Sequence, residues 1–446
     1  MARRHETQPL PTAALAVSSA APAHLPAVRP VPDRPAVRYG PDPADVLPAQ
    51  RGGDGRRGAN AAAVLRTVLD HGPVARTTIA RLSGLSPAAV SRQYLDLARL
   101  GLVHERPGAA TGGAVGRPQV PVDIHTCGPL VGGVHLGVPF STLCLVDLRG
   151  RTVAHEYLDG PGAGGRRSAG TLGALRERLP GFLAERAAGR PVLGVGAITG
   201  GWVDPSRGTV VRHTPLGWVD VPLRAELEGA CGLPVLVDNH ARAIAQSEIL
   251  FGRPQARRSV VHLFVGSVVD AALGIAGVVH QGPRSAAGDV AHLPVADADA
   301  PCPCGRNGCL QAAASDEALG ARAVAQGVLD RPDAFRLVEL AAAGDEAADR
   351  LVRGRIRLVA RAAALLLDVL NPDLVLVTEV SVLRHGHYLA ALREEVLRHS
   401  RVCDDPERVA VSHAGERALQ TAAGAAVLAP LYRDPLLFAS RAGAVR

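Results

Sequence analysis

The sequence predicts an α/β fold: an N-terminal winged helix-turn-helix joined to a two-lobed body. Three observations carry this. Short capped helices around a Gly-containing turn occupy residues 60–101. Beyond Leu130, short β-like apolar runs alternate with helical segments, the texture of sheets covered by helices. The roughly 300 residues of that part exceed one usual α/β unit, so two lobes flanking a cleft are expected.

The chain has 446 residues, with 49 basic side chains, all Arg, against 42 acidic ones, and a net charge of +7. No run of about 18 uninterrupted apolar residues occurs; the most apolar stretch, Leu358 to Leu370, carries Arg361 and Asp368. Neither a membrane span nor a secretory signal is therefore expected, and the protein is placed in the cytoplasm. The charge is uneven. Between Arg51 and Gln119 ten Arg face Asp54, Asp70, Asp96 and Glu105, a local excess of +6, which points to a polyanionic partner there.

Residues 1–55 hold ten prolines, many alanines and no periodic apolar pattern, and are read as a disordered arm. The segment 56–124 is assigned to the winged helix. Asn60 is placed as the cap of a first helix with Ala63, Val64, Val68 and Leu69 inward, ended by Gly72 and Pro73. A second helix opens at Thr77 or Thr78 with Ile79, Ala80 and Leu82 inward, and Ser83, Gly84 and Leu85 make the turn. Ser86 caps a third helix with Pro87 at its first position, where a missing N–H costs nothing. Val90, Leu95, Leu97 and Leu100 form its expected buried side, and Gly101 closes it. Leu102, Val103 and a stretch with Gly112, Gly113, Gly116, Arg117 and Pro118 supply the wing.

Such a unit presents its third helix to the major groove. The outward residues Ser86, Ala88, Ala89, Ser91, Arg92 and Gln93 are small or hydrogen-bonding, and Arg and Gln can make bidentate contacts to base edges. Arg76, Thr77, Arg81 and Arg117 are assigned to phosphates. The DNA-binding set is thus Arg76, Thr77, Arg81, Ser86, Ser91, Arg92, Gln93 and Arg117; the competing reading is a helical packing domain with a solvated basic face.

In the body, strands are expected at Leu130–Val134, Leu143–Asp147, Val192–Ile198, Val235–Val237, Val260–Val265 and Leu374–Val377. Seven cysteines do not make a disulfide framework in a chain of this size. Cys302, Cys304 and Cys309 fall within eight residues, ten residues after His292. Three thiolates and one imidazole satisfy tetrahedral zinc without a vacant position, so the ion should be structural. Cys127, Cys144, Cys231 and Cys403 are expected to be buried thiols.

This cluster resembles the zinc signature of the ROK family of bacterial repressors, open-reading-frame proteins and sugar kinases. Gly288 through Cys309, Gly217 to Leu223, Leu233 to Glu248 and Asn371-Pro372-Asp373 are similar to family segments. The resemblance spans roughly residues 55–430 and implies an actin-like ATPase fold for residues 125–432, with a sugar site between its lobes; residues 433–446 are left as a tail. It also implies where kinase chemistry would lie. The first phosphate loop maps to His135-Leu136-Gly137-Val138-Pro139, where only the Gly remains and Pro139 removes an amide donor. The general base maps to His240, beside Asn239. The second loop reads Val265 to Asp270, whose acid repels a triphosphate, and the paired glycines of the adenosine-side strand are replaced by Thr378 and Glu379. Four elements of one reaction have departed together, so the chain is expected not to be an enzyme. An active carbohydrate kinase with an accessory helical domain is the alternative.

The family's sugar contacts map to Asn239, His240, Asp289, His292 and Gln311, three of which (His240, Asp289 and Gln311) differ in type from the family pattern. The expectation is a DNA-binding regulator, a repressor, with structural zinc, a double-stranded operator as partner, a sugar or sugar derivative as effector, and a homodimeric or homotetrameric state.

Overall fold

A computed structural model describes residues 53–107, 120–159, 169–295 and 300–441. The N-terminal arm and the wing residues Gly112, Gly113, Gly116, Arg117 and Pro118 lie outside these.

Helices α1 (Gly53–His71), α2 (Arg76–Ser83) and α3 (Pro87–Arg99) precede the antiparallel pair β1 (Val103–Glu105) and β2 (Val122–Ile124). Val74 bridges to Val122, adding a third pairing to this small sheet. The α2–α3 turn passes through Gly84 at φ 70°, a left-handed conformation that favours glycine. Ser86 caps α3 by accepting the Ala89 N–H at 3.2 Å. Three expectations fail here. Asn60 is not a cap, because α1 begins at Gly53 and carries it inside the helix. Leu82 and Leu95 are exposed, at 42 % and 52 %.

The body holds two five-stranded sheets of one topology. The first, in the order β10-β6-β3-β4-β5, comprises β3 (Leu130–Leu136), β4 (Phe140–Val146), β5 (Thr152–Asp159), β6 (Val192–Thr199) and β10 (Val235–Asn239). The second, in the order β13-β12-β11-β14-β15, comprises β11 (Ser259–Val265), β12 (Val269–Ile275), β13 (Val278–Val279), β14 (Leu374–Thr378) and β15 (Val409–Ala410). In each, an antiparallel meander of three strands continues into two parallel strands. A small sheet of β7 (Trp202–Asp204), β8 (Thr209–His213) and β9 (Trp218–Val221) flanks the first lobe. All six expected strands are present. They are almost wholly buried, which explains why they read as continuous apolar runs rather than alternating ones.

Helices α4 (Ala169–Ala187) and α5 (Leu223–Cys231) pack on one another beside the first sheet. Two helices join the lobes. α6 (His240–Phe251) leaves the first sheet and packs on β11 and β12, while α13 (Ala418–Arg433) returns from the second lobe to pack on β3 and β6; the two helices also pack on each other. The second lobe is covered by α7 (Leu310–Ala314), α8 (Asp316–Ala325), α9 (Ala334–Ala342), the 25-residue α10 (Glu346–Leu370), α11 (Val380–Arg384) and α12 (Gly386–His399).

Among the described residues, the N-terminal helical unit has no core separate from that of the body. Ala61, Val64, Leu65 and Val68 of α1 belong to one apolar cluster with Leu428, Leu431 and Tyr432 of α13, and each such fully buried aliphatic contributes about 1.5–3 kcal/mol. Arg149 in the β4–β5 turn clamps the junction, donating to the Leu69 carbonyl at 3.0 Å and the Asp123 carboxylate at 2.5 Å. The expected tail is instead a helix, α14 (Pro435–Arg441), which packs on α1 and α3 with Leu436 and Phe438 against the shared core. Among the other thiols, Cys144 and Cys403 are buried as expected, but Cys127 is exposed and Cys231 half-buried.

Candidate functional site

The outward face of α3 carries Ala88, Ser91, Arg92, Leu95 and Arg99, spaced three and four apart on one side of the helix. Ser91, Arg92 and the capping Ser86 are exposed, as expected. Gln93 is not: it lies on the opposite side, 3 % exposed, and cannot reach a base edge. Leu95 takes a place on the exposed face that sequence reasoning gave to the core. The signal was its i+3/i+4 spacing from Arg92 and Ser91, overridden by the habit of burying Leu. Arg76 pairs with Glu105 and stacks 4.1 Å above the Tyr94 ring. It therefore ties α2 to α3 and β1. Thr77 and Arg81 are exposed on α2.

The second feature is a knuckle. Cys302 N–H donates to the Arg306 carbonyl at 2.8 Å and Gly305 N–H to Cys302 at 2.9 Å, with Gly305 and Gly308 at φ 86° and 71°. These left-handed glycines turn the chain back on itself. Cys302 Sγ lies 3.5 Å from His292 Nδ1 and Cys304 Sγ 3.6 Å from Cys309 Sγ, and all four donor atoms lie within 4.8 Å of one another. Bonds of about 2.0–2.3 Å in a tetrahedron require ligand separations of roughly 3.5–3.8 Å. Arg306 holds the Cys304 thiol down to about 6, whereas burial, with the neighbouring Cys304 and Cys302, pushes Cys309 up to about 11. Sulfurs this close ionise together only around a cation, so the donor set fits a metal such as zinc.

The knuckle leads straight to the junction of the two lobes. Gln311, two residues past Cys309, accepts the Val269 N–H at 2.7 Å and donates to the Ser267 carbonyl at 2.9 Å. Its amide is thus held by the β11–β12 turn in this structure. That turn projects Asp270 from the second lobe into the first. Asp270 Oδ2 accepts Gly201 N–H at 2.9 Å and Asn239 Nδ2 at 3.1 Å, and lies 3.1 Å from His240 Nε2. Burial would raise the Asp270 pKa, but His240 and these donors hold it below the usual carboxylate range.

Asn239 is fully occupied: its oxygen caps α6 through Ala241 N–H at 2.8 Å, and its Nδ2 also donates to Gly201 at 2.8 Å. Buried His135 stacks on His240 at 5.9 Å. Burial, with His240 and His213 beside it, takes His135 down to about 3, so it is neutral at pH 7. Val268 closes on Gly200, where a Cβ would meet its methyl at 2.1 Å. Asp289 stays exposed, its carboxylate accepting Ala291 N–H at 3.3 Å, and His292 turns Nδ1 to Cys302. The five expected ligand residues therefore divide into an Asn239–His240 pair latched by Asp270, and Asp289, His292 and Gln311 on or beside the knuckle.

Deeper in the second lobe, Arg355 of α10 is fully buried. It donates to Asp316 at 2.8 Å and the Val265 carbonyl at 3.1 Å, and lies 3.2 Å from Glu379. The other Glu379 oxygen caps α11, accepting Ser381 N–H at 2.9 Å and Val382 N–H at 3.0 Å. Nothing in the spacing of a long amphipathic helix announced this arginine.

The ROK family model matches residues 131–431. The chain is 34 % identical over 401 residues to a transcriptional regulator of Mycobacterium tuberculosis, covering 86 % of this chain and 88 % of that one. It is 27 % identical over 394 residues to the xylose repressor of Caldicellulosiruptor bescii, covering 83 % and 96 %. A solved ROK family transcriptional regulator, a homolog of the E. coli MLC protein, shares the fold with a TM-score of 0.69 at 23 % identity, covering 86 % and 98 %. A ROK family glucokinase from Streptomyces griseus, in complex with glucose and AMPPNP, matches with a TM-score of 0.58 at 25 % identity. It covers 98 % of its own length but 67 % of this chain, so the regulator matches a stretch of this chain that the kinase does not. The chain belongs to the ROK family.

Proposed function

We infer that this chain is a DNA-binding transcriptional repressor in which α3 reads the operator and the interlobe cleft takes a sugar or sugar derivative. The exposed face of α3 carries the inference: Ser91, Arg92 and Leu95 lie side by side on a helix capped, turned and buttressed for groove entry. Arg92 is suited to guanine, and Leu95 adds an apolar surface for a thymine methyl. Thr77, Arg81 and Arg117 contact phosphates. Two copies about a two-fold axis would read a palindrome, as a homodimer or a pair of dimers, in the cytoplasm.

Arg92→Ala is expected to cost about 1–3 kcal/mol of discrimination between operator and random DNA, measured by fluorescence anisotropy at fixed salt. Equal losses on both DNAs would show that Arg92 grips backbone instead.

At the lobe junction and on the adjoining knuckle, Asn239, His240, Asp289, His292 and Gln311 occupy the positions of the family's sugar contacts. A polyol entering there has to take over the bonds that Asp270 makes to Gly201 and Asn239. An effector that does so favours a different lobe arrangement and biases DNA affinity by its differential binding to the two states. Zinc held by His292, Cys302, Cys304 and Cys309 is structural; it fixes the knuckle, and Gln311 carries that rigidity to the Asp270 turn.

The same geometry disfavours phosphoryl transfer. Asp270 places a carboxylate where a triphosphate needs donors, and Val268 fills the space above Gly200. Incubation with ATP, Mg²⁺ and a panel of hexoses and amino sugars should give no sugar-dependent ADP release; turnover above the ATP-only background would overturn the assignment.

A further inference from the structure

We propose that the wedge between the winged helix and the first lobe is a second ligand site, one that binds a small phosphate monoester. The wedge is a cavity of about 730 Å³, within the range of small-molecule sites. The end of α1, the β4–β5 turn, the end of α6 and the approach to α13 line it, and it opens to solvent.

Its walls present donors almost alone. Arg149, Arg151, Arg257 and Arg417 line it against a single acid, Asp70. Arg149 is held by Asp123 and Leu69, and Arg257 grips Asp70 at 2.9 and 3.0 Å. Arg151 and Arg417 form no ion pair among the described residues and are exposed at the cavity. Thr152, also in the wall, has a buried hydroxyl without a hydrogen-bond partner. Two unpaired guanidinium groups line one recess beside the two held arginines, and their common complement is an anion. Leu69 and Phe251 in the same wall offer apolar surface to the body that carries the phosphate.

DNA is a poorer fit for this recess. Its backbone is a continuous rod, whereas the recess is bounded by four separate chain segments, and α3 contributes no residue to it. A bound phosphate would instead compete with Asp70 for Arg257. That pair is one of the ties between α1 and the body, so occupancy would alter the seat of the winged helix.

The test uses the full chain and the Arg151→Gln/Arg417→Gln variant, with calorimetric titration and thermal unfolding at constant ionic strength. Pyrophosphate, inorganic phosphate, glucose 6-phosphate and AMP are compared against chloride. Saturable binding is expected for the wild type, tighter for the two monoesters than for inorganic phosphate. It should weaken at least tenfold in the variant, whose melting temperature in chloride should match wild type. The tighter of glucose 6-phosphate and AMP identifies whether the body is a sugar or a nucleoside. No saturable binding, equal binding by the variant, or no preference for monoesters would overturn the proposal. So would a variant that loses affinity for random DNA and flattens its salt dependence while its anion response is unchanged, since that marks a backbone contact. Anion binding is read without DNA, so it stands or falls apart from the repressor assignment. Only the expected shift in operator affinity on adding the monoester rests on that assignment.

Discussion

Arg355→Met will destabilise the protein by about 3–5 kcal/mol, read as a shift in the denaturant unfolding midpoint. The side chain is fully buried in α10 and faces two carboxylates, Asp316 and Glu379. Removing the cation leaves both acids in a low-dielectric interior without compensation, which costs more than the pair itself contributes. Arg355→Met combined with Asp316→Asn and Glu379→Gln should therefore recover most of the loss. The triple variant separates a missing charge partner from a packing defect. If Arg355→Met moves stability by less than about 1 kcal/mol, the three groups are not a coupled unit and the account of the second lobe given above is wrong. Glu379 has a further duty as the cap of α11, so Glu379→Ala should cost about another 0.5–2 kcal/mol beyond loss of the ion pair.

Cys304→Ser will empty the metal knuckle. Cys304 is exposed, so the substitution removes little packing, and any large effect reports the ion. Zinc measured by atomic absorption should fall from one equivalent per chain to less than a tenth. Thermal unfolding should move down by an amount equivalent to more than about 4 kcal/mol, the range reserved for lost metals and broken cores. Chelation of the wild type should reproduce the shift, and chelation of the variant should add nothing. Because Gln311 links the knuckle to the Asp270 turn, operator affinity should fall with zinc content. A variant that loses zinc yet keeps its melting temperature and operator affinity would sink the structural role.

Much of this was legible in the chain itself. The Ser86-Pro87 start of α3, its Gly101 end and the cysteine spacing are local chemistry, set by a few adjacent residues, and local chemistry survives translation into structure. The six strands were legible because full burial imposes continuous apolar runs. What escaped depends on distant partners. Gln93 and Leu95 changed places because a helix face is buried by what packs on it, and α14 packs on this one from the far end of the chain. Arg355 was invisible because its acids lie 39 residues before it and 24 after it. Asn239 and Gln311 were mapped by position to a sugar site, but Asp270, Gly201, Ser267 and Val269 hold their polar atoms in this structure. A residue's identity carries its repertoire of bonds, and only the fold decides which are spent.

The final helix has a consequence in time. α14 lies against α1 and α3, and its Leu436 and Phe438 close the cluster that seats them. A ribosome adding about 5–20 residues per second needs roughly 20–80 s to travel from α1 to α14. For that interval α3, the proposed reading helix, is made but lacks its last support. On that proposal, a nascent chain reaches full operator affinity only after both lobes have been made. A premature stop just before Pro435, which leaves both sheets intact, is expected to loosen the seat of α1 and α3.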